Sequence, residues 1–243
     1  MKFKSLFAFL ILNSVTCYGQ KLNTDSLVRL NAIQVAKLNY QNMTAGSSRL
    51  NNGVDYFDAL HDKKQIGHPY FISDDWEEGF VFYDGQLYEH ILLRYNLLED
   101  NIHIDHSQTH STIKLIVEKI KYFGINNHTF VWIASDPEKI IKEGFYDILY
   151  DKDKLKVIAR RYKTTLDITE GKVMEVKFVD KTKLFLFKDG KYYAITNKNS
   201  ALNAFGESKS QIKKFLSQSK INFQSEPETA LTAIAEYYDA LKK

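Results

Sequence analysis

Residues 67–95 have the sequence GHPYFISDDWEEGFVFYDGQLYEHILLRY. The Asp84-Gly85 dipeptide in this segment predicts a two-residue hairpin turn, because both turn positions require a positive φ. Strands are therefore expected at Gly79–Tyr83 and Gln86–Tyr95. Alternation in the second strand predicts one buried and one wetter face, as in antiparallel sheets. The buried face contains Leu87, Ile91, Leu93 and Tyr95, and the wetter face contains Tyr88, His90 and Arg94.

Two further hairpins follow the same pattern downstream. Strands predicted at 145–150 and 155–162 flank a short charged loop, and strands at 184–188 and 191–195 flank Asp189-Gly190. Further candidate strands are Asn101–Asp105, Thr112–Val117, Lys119–Phe123, Thr129–Ala134 and Lys172–Val179. About eleven strands joined mainly by short turns predict a mainly β (α+β) fold, an antiparallel β-meander in an open barrel-like or strongly curved sheet.

The C-terminal region changes from strand to helix patterns. A short helix is predicted at 200–205, ended by Gly206. A second helix is expected after Ser208, with apolar residues on one face. The last helix is predicted to start at a capping box of Ser225 and Glu228 and to reach nearly to the C-terminus. Two to three helices are therefore expected to pack on the sheet.

The first residues resemble a secretory signal peptide. Lys2 and Lys4 precede the short apolar run Leu6–Leu12, and Gly19 is a small residue suited to cleavage. We therefore divide the chain into a signal peptide (1–19), a polar N-terminal segment with a short helix (20–66) and one β-rich domain with C-terminal helices (67–243). The expected location is the periplasm or the outer membrane of a bacterium. Cys17 could instead be a lipidated first residue, but Ser14-Val15-Thr16 before it lacks the leucine typical of that motif.

Composition and missing motifs exclude several classes of function. The formal net charge of +3 and the absence of a basic stripe argue against nucleic-acid binding. No later apolar run approaches the length of a transmembrane helix. The only cysteine precedes the predicted cleavage site, so disulfides and thiol catalysis are not expected. The sequence contains no G-x-S-x-G, G-x-x-x-x-G-K-[ST] or H-E-x-x-H motif. We therefore predict a protein that is not an enzyme and has no cofactor.

The acidic and aromatic loop SDDWEEG is the first candidate binding site. Asp74 and Asp75 beside the indole of Trp76 could bind a sugar or calcium. Together with Tyr83 and Tyr88 they form the predicted partner surface. The alternative, which we favour, is a capped turn in which Trp76 covers the end of the core.

Histidines and basic residues form two other conspicuous groups. His103, Asp105 and His106 in HIDHSQTH are weak candidates for metal ligands, and His110 follows them. On a strand, however, His103 and His106 face opposite ways, so a solvated strand end is favoured over a zinc site. The basic run at 152–163 alternates with apolar residues and predicts the wet face of a sheet, with an anionic lipid or polymer as the alternative.

Several motifs together are similar to a group of exported envelope proteins of unknown function that is common in Bacteroidota. The motifs are GHPYF, W-x-x-G-x-V-x-Y-D-G-Q-x-Y, G-F-Y-x-x-L-Y and the ending I-K-K-F-L, I-x-F, E-x-A-L and Y-Y-D-A-L. The resemblance covers most of the chain from His68 onward. It implies a location in the bacterial envelope and supplies no catalytic residues.

Three functions remain as hypotheses. The leading one is a non-enzymatic exported envelope protein, a binding or accessory module whose partner is an envelope protein, a glycan or a lipid. The second is a periplasmic lipid or lipoprotein carrier resembling the LolA class, in which an open half-barrel and helices enclose an unfilled apolar cavity. The third is a metal-dependent hydrolase in which His103, Asp105 and His106 would converge with His128.

Overall fold

The structure, a computed structural model, describes residues 32–33, 35–36, 49–106, 109, 111–152, 154–170 and 173–242. Residues 46–243 form one compact unit, and residues 1–45 form another, of which 32–33 and 35–36 are helical. The predicted signal peptide and Cys17 lie outside the described residues. None of the described helices is long and apolar enough to cross a membrane.

The core of the larger unit is one 12-stranded sheet. The strands are β1 Val54–Asp55, β2 Lys64–Ile66, β3 Glu77–Tyr83, β4 Gln86–Asn96, β5 Asn101–Asp105, β6 Thr112–Lys114, β7 Ile120–Ile125, β8 His128–Ile133, β9 Gly144–Lys152, β10 Leu155–Glu170, β11 Val173–Lys188 and β12 Lys191–Ile195. Their order is β1-β6-β5-β4-β3-β7-β8-β9-β10-β11-β12, and β2 pairs with β11. The sheet is open, ending at β1 and at β12. The predicted antiparallel meander is therefore confirmed.

Two of the turns that the sequence predicted have the expected backbone. Asp84 and Gly85 have φ values of 50° and 81°, and Asp189 and Gly190 have 52° and 83°. Positive φ at both positions matches the right-handed twist of the two strands that each turn connects. The Asp84-Gly85 hairpin of β3 and β4 and the Asp189-Gly190 hairpin of β11 and β12 are therefore confirmed.

A β-bulge in β4 overturns the predicted faces of that strand. Gly79 pairs with Ile91, but the next residue of β3, Phe80, pairs with Glu89, so His90 is an extra residue. Its φ of 56° is consistent with this irregularity. Because of this extra residue, the side chains that precede His90 in β4 point to the face opposite the predicted one. Tyr88, predicted on the wetter face, is therefore buried with Leu93 and Tyr95.

One face of the sheet, here called the inner face, carries two apolar clusters. The first is an aromatic cluster on β3–β9 that includes Tyr95, Phe123, Phe130 and Phe145. The second lies between β9–β12 and the helices α1 Lys198–Ala204, α2 Lys209–Gln218 and α3 Pro227–Leu241. Short 3-10 helices occur at Arg49–Asn51, Val117–Lys119 and Gly206–Ser208. The predicted packing of C-terminal helices on the sheet is therefore confirmed.

The predicted capping box of the last helix is wrong. The residue before α3 is Glu226, and no side chain caps the helix there, although Pro227 occupies the first turn. The carboxylate of Glu228 accepts two hydrogen bonds from Arg161 of β10 instead, at 3.0 and 2.8 Å. A bidentate ion pair with an arginine of another element is a stronger interaction for this carboxylate than a local helix cap.

In the described part of the chain, the basic run at 152–163 is exposed only at its start, at Lys152 and Lys154, so most of it does not form the predicted wet face. Arg160 pairs with Asp100 at 2.7 Å, and Arg161 pairs with Glu228 at 2.8 Å. Lys163 is 8 % exposed and donates to the carbonyl oxygen of His68 at 2.9 Å. The partners of these cations are distant in sequence. The alternation of residues along β10 could not indicate that these partners lie close by.

A bridging segment, residues 64–71, connects distant parts of the sheet. Its first residues form β2, which pairs in parallel with β11 from Glu175 to Lys177. Its last residues pair with β4, because Phe71 N–H donates to the Tyr95 carbonyl oxygen and Leu97 N–H donates to the Pro69 carbonyl oxygen, both at 2.8 Å. The bridging segment therefore places Tyr70 and Phe71 on opposite sides of the end of β4.

Candidate functional site

The candidate site lies on the outer face of the sheet, the side opposite the aromatic cluster. Arg94 of β4 is directly opposite His103 of β5, and His103 is directly opposite Lys114 of β6. Because side chains alternate along each strand, these three point away from the core residues Leu93 and Tyr95. This row of basic side chains forms the floor of the site.

An arginine sandwich, defined as Arg94 between Tyr70 and Trp76, is the main feature of the site. The Arg94 Cζ lies 4.3 Å from the centroid of the Tyr70 ring and 3.8 Å from that of the Trp76 ring. Its Nη1 donates to the carbonyl oxygen of Asp74 at 3.0 Å. Each cation–π contact contributes about 0.5–2 kcal/mol, depending on exposure. The guanidinium is therefore held in one orientation by both rings and the loop.

The Arg94 guanidinium has unused hydrogen-bonding capacity. Its Nε is buried and has no hydrogen-bond partner. Within the described residues, no carboxylate forms an ion pair with it. Arginine has five N–H donors in a fixed planar arrangement that matches carboxylate, sulfate or phosphate. The sandwich therefore presents, on a half-exposed surface, a rigid cation that no carboxylate of the described residues neutralises.

His103 is buried beneath the site, contrary to the predicted solvated strand end. It has no exposed surface, because the ring of Tyr56 lies 4.0 Å away and Tyr70 covers it edge-on at 5.7 Å. Burial, together with the positive charges of Arg94 and Lys114, lowers the pKa of His103 to about 3. The imidazole is therefore neutral at physiological pH and adds no charge to the floor.

Because His103 is buried as the neutral form, we expect protein stability to fall in mild acid. The unfolded state, with a His pKa near 6.5, binds a proton that the folded state refuses until about pH 3. The contribution of His103 to the free energy of unfolding is thus complete above pH 6.5 and is lost as the pH falls from 6.5 towards 3. At pH 5 the loss is on the order of 2 kcal/mol. Urea unfolding of the wild type and of His103→Gln at pH 7 and pH 5 measures it, and equal pH dependence of the two proteins would contradict it.

The exposure of the acidic residues in the loop agrees with the predicted surface, but the position of Trp76 differs from the favoured prediction. Asp74 and Asp75 are exposed, and Asp75 accepts a hydrogen bond from the Ser73 hydroxyl at 3.1 Å. Trp76 is half-buried and belongs to none of the apolar clusters, so it does not cover the end of the core. Its indole stacks on Arg94 instead. Trp76 takes this position because Arg94 of β4 lies beneath the loop.

Tyr83 and Tyr88 do not join Trp76 on one surface. Tyr83 has no exposed surface and Tyr88 is 8 % exposed, and both belong to the aromatic cluster on the inner face. Tyr83 lies at the end of β3, and Tyr88 is turned inward by the bulge at His90. The structure therefore brings Asp74, Asp75 and Trp76 together and separates the two tyrosines from them.

The candidate metal ligands do not converge. His103 is covered by aromatic rings, Asp105 is at the end of β5, and His106 accepts a hydrogen bond from Thr109 N–H at 3.1 Å. His128 is paired with Asp147 of β9. Among the described residues, no three His, Cys, Asp or Glu side chains are placed to share a metal ion.

A buried ionic network on the inner face escaped prediction from the sequence. The Asp147 carboxylate, 1 % exposed, lies 2.7 Å from His128 Nδ1 and 2.7 Å from Arg161 Nε. Arg161 also binds Glu228, so the network links β8, β9 and β10 to α3. One signal was available, because Asp147 is the only charged residue in the otherwise apolar strand segment FYDILY. The partners of Asp147, however, come from distant strands.

No protein-family model, curated protein or solved structure matches this chain.

Proposed function

We propose that this protein is a non-enzymatic exported envelope protein that acts as a binding or accessory module, and that the arginine sandwich is its ligand contact. The supporting observation is the Arg94 guanidinium, fixed between Tyr70 and Trp76 with no carboxylate partner among the described residues. A cation held rigidly without an internal counter-charge favours an external anionic group, because little conformational entropy is lost on binding.

An acidic glycan fits the chemistry of the site. The carboxylate of a uronic acid can accept hydrogen bonds from the edge of the Arg94 guanidinium. The exposed carboxylates of Asp74 and Asp75 can accept hydrogen bonds from sugar hydroxyls. The half-exposed indole of Trp76 offers a flat apolar surface for the face of a sugar ring. A ligand that carries both hydroxyls and a carboxylate therefore uses all the side chains of the loop.

A strained residue next to the sandwich supports a binding role for the loop. Ile72 has a φ of 58° and is 62 % exposed. A β-branched residue in the left-handed region is an uncommon and costly conformation, about 1–3 kcal/mol, that concentrates at functional sites. The neighbouring Phe71 is buried, so this turn sends one apolar side chain into the core and the next into solvent.

The two alternative functions receive less support. A lipid carrier requires an unfilled cavity between the helices and the sheet, and that layer contains 19 buried residues that pack against one another. A metal-dependent hydrolase requires convergent ligands, and His103 and His128 lie in separate environments within the described structure. Neither alternative explains why the Arg94 guanidinium has no carboxylate partner among the described residues.

Binding to an oligogalacturonate tests the proposal. We expect calorimetric titration to detect binding of this acidic oligosaccharide and little binding of a neutral oligosaccharide of equal length. Loss of one charge-assisted hydrogen bond costs about 1.5–3 kcal/mol, so Arg94→Gln should weaken binding by roughly tenfold or more. Trp76→Ala should weaken it by a similar factor, because both ring stacking and the position of Arg94 are lost.

Arg49→Gln is the matched control. The Arg49 side chain is 66 % exposed and lies 3.9 Å from the Asp84 carboxylate, so its replacement removes the same charge from another surface. Equal weakening by Arg49→Gln and Arg94→Gln would indicate non-specific attraction and contradict the site. If the wild type binds neither oligosaccharide, the glycan assignment is wrong.

A further inference from the structure

A long part of β10 has a free edge. β10 spans Leu155–Glu170 and pairs with β11 along its whole length. On its other edge, β9 covers only Leu155 to Ala159. Lys163 N–H then donates to the Leu97 carbonyl oxygen at 3.0 Å. From Thr164 to Thr169, the described structure contains no strand or side chain that pairs with this edge.

The direction of the backbone groups on this edge follows from Lys163. Because the Lys163 N–H points away from β11, and N–H and C=O groups alternate between the two edges, those of Thr165, Asp167 and Thr169 also point outward. The pairing of β10 with β11 has no register shift, so the alternation is continuous to the end of the strand. Three residues thus present unpaired donors and acceptors in one line.

This edge lacks most of the features that usually protect edge strands. Natural edges are blunted by proline, charged side chains (above all lysine), bulges or short length, and Asp167 is the one charged residue here. The segment Thr164–Thr169 has the sequence TTLDIT, with neither proline nor lysine, and it contains no bulge. Leu166 is 55 % exposed on it. By contrast, Val176 and Phe178 on the partner strand β11 are buried. The free edge is therefore straight, partly apolar and accessible.

We propose that the free edge of β10 is a strand-addition site for a second copy of this chain, so that two β10 strands pair antiparallel about a two-fold axis. In such a pair, the hydrogen bonds between the two strands must come from the outward-pointing backbone groups of both strands. Pairing centred on Leu166 satisfies this requirement by placing Thr165 opposite Asp167 of the second copy. Its pairs from Thr164 to Ile168 lie within the free edge.

Charge and packing select this register over its neighbour. Pairing centred on Asp167 would place two carboxylates directly opposite each other, which is destabilising. Pairing centred on Leu166 places the two exposed leucines opposite each other and Thr164 opposite Ile168. Of these two registers, the edge is self-complementary in the one centred on Leu166, which favours a second copy of the chain over an unrelated extended peptide.

Disulfide trapping tests both the partner and the register. Directly opposed residues that are not hydrogen-bonded to each other have Cα atoms about 4.5 Å apart, within the range of a disulfide. In a Cys17→Ser background, Leu166→Cys should therefore form a covalent dimer under mild oxidation. Thr164→Cys is the matched control, because the two copies of residue 164 would be separated by four residue positions, about 13 Å.

Proline substitution on the edge provides an independent measurement. Thr165→Pro removes an outward N–H and leaves the pairing with β11 intact, because proline is tolerated where the N–H faces solvent. We expect wild-type protein to show concentration-dependent dimerisation in analytical ultracentrifugation and Thr165→Pro to remain monomeric with an unchanged circular dichroism spectrum. Equal cross-linking at positions 164 and 166, or wild-type protein that is monomeric at all concentrations, would overturn the proposal. Dimerisation that Thr165→Pro does not change would also overturn it.

Discussion

Replacing Asp147 with alanine should lower the free energy of unfolding by about 3–5 kcal/mol, the usual cost of removing one partner from a buried ion pair. The carboxylate is 1 % exposed, and Arg161, 13 % exposed, would keep its charge without this partner. His128 would also lose its hydrogen bond. The attraction between the remaining charges, Arg161 and Glu228, offsets only part of this desolvation. Urea unfolding monitored by tryptophan fluorescence measures the change.

Asp151→Ala is the control for this substitution. Asp151 also pairs with a cation of β10, since its carboxylate lies 2.8 Å from Lys156 Nζ, but its side chain is 45 % exposed. Exposed pairs contribute about 0–1 kcal/mol, so this variant should be nearly as stable as the wild type. Similar losses for Asp147→Ala and Asp151→Ala would show that the network does not anchor α3 to the sheet.

Phe123→Ala should also destabilise the protein by about 3–5 kcal/mol, through the cavity that it leaves in the aromatic cluster. The Phe123 ring has no exposed surface and stacks on Phe130 with centroids 4.9 Å apart and an interplanar angle of 9°. It also contacts Tyr95 and Phe145 edge-on, at 5.0 and 5.1 Å. The surrounding rings belong to three other strands, so the cavity cannot collapse without moving the sheet.

Phe57→Ala provides the comparison for Phe123→Ala. The Phe57 side chain is 72 % exposed, so its truncation should change the free energy of unfolding by no more than about 0.5 kcal/mol. Both variants are measured by urea unfolding under the same conditions. A loss below about 1 kcal/mol for Phe123→Ala would indicate that the cluster repacks and that the rings are not rigidly interlocked.

Local chemistry was enough to predict most of the fold. The Asp84-Gly85 and Asp189-Gly190 turns demand a backbone that few other dipeptides adopt, and they fixed the position of two hairpins. The helical periodicity after Ser208 likewise identified the helix whose Ile212 and Leu216 are buried. Signals of this kind depend on neighbouring residues and are visible in the sequence.

Contacts between distant residues could not be predicted in this way. The bulge at His90 depends on the register between β3 and β4, and the one-residue shift moves the side chains that precede His90 to the face opposite the predicted one. Arg161 and Glu228 are 67 residues apart, so the sequence offered no reason to prefer this pair over a capping box.

The same distinction applies to the candidate site. Asp74, Asp75 and Trp76 were identified because acids beside an indole are conspicuous in the sequence. Arg94 was placed correctly on the face opposite Leu93 and Tyr95, but its position between Tyr70 and Trp76 depends on the bridging segment. The burial of His103 also depends on Tyr56, which reaches it only because β1 pairs with β6.

The bridging segment has a consequence for the order of folding. It joins Lys64 to Glu175, residues separated by 111 positions, whereas the hairpins of β3–β8 form between near neighbours. Contacts between distant positions form late, because chain entropy must be lost before they contribute. The other end of the segment, with Tyr70, pairs with β4 and needs only near neighbours, so the arginine sandwich is expected to form before β2 joins β11. A chain that stops before β11 would then keep the arginine sandwich but lack the β2–β11 pair.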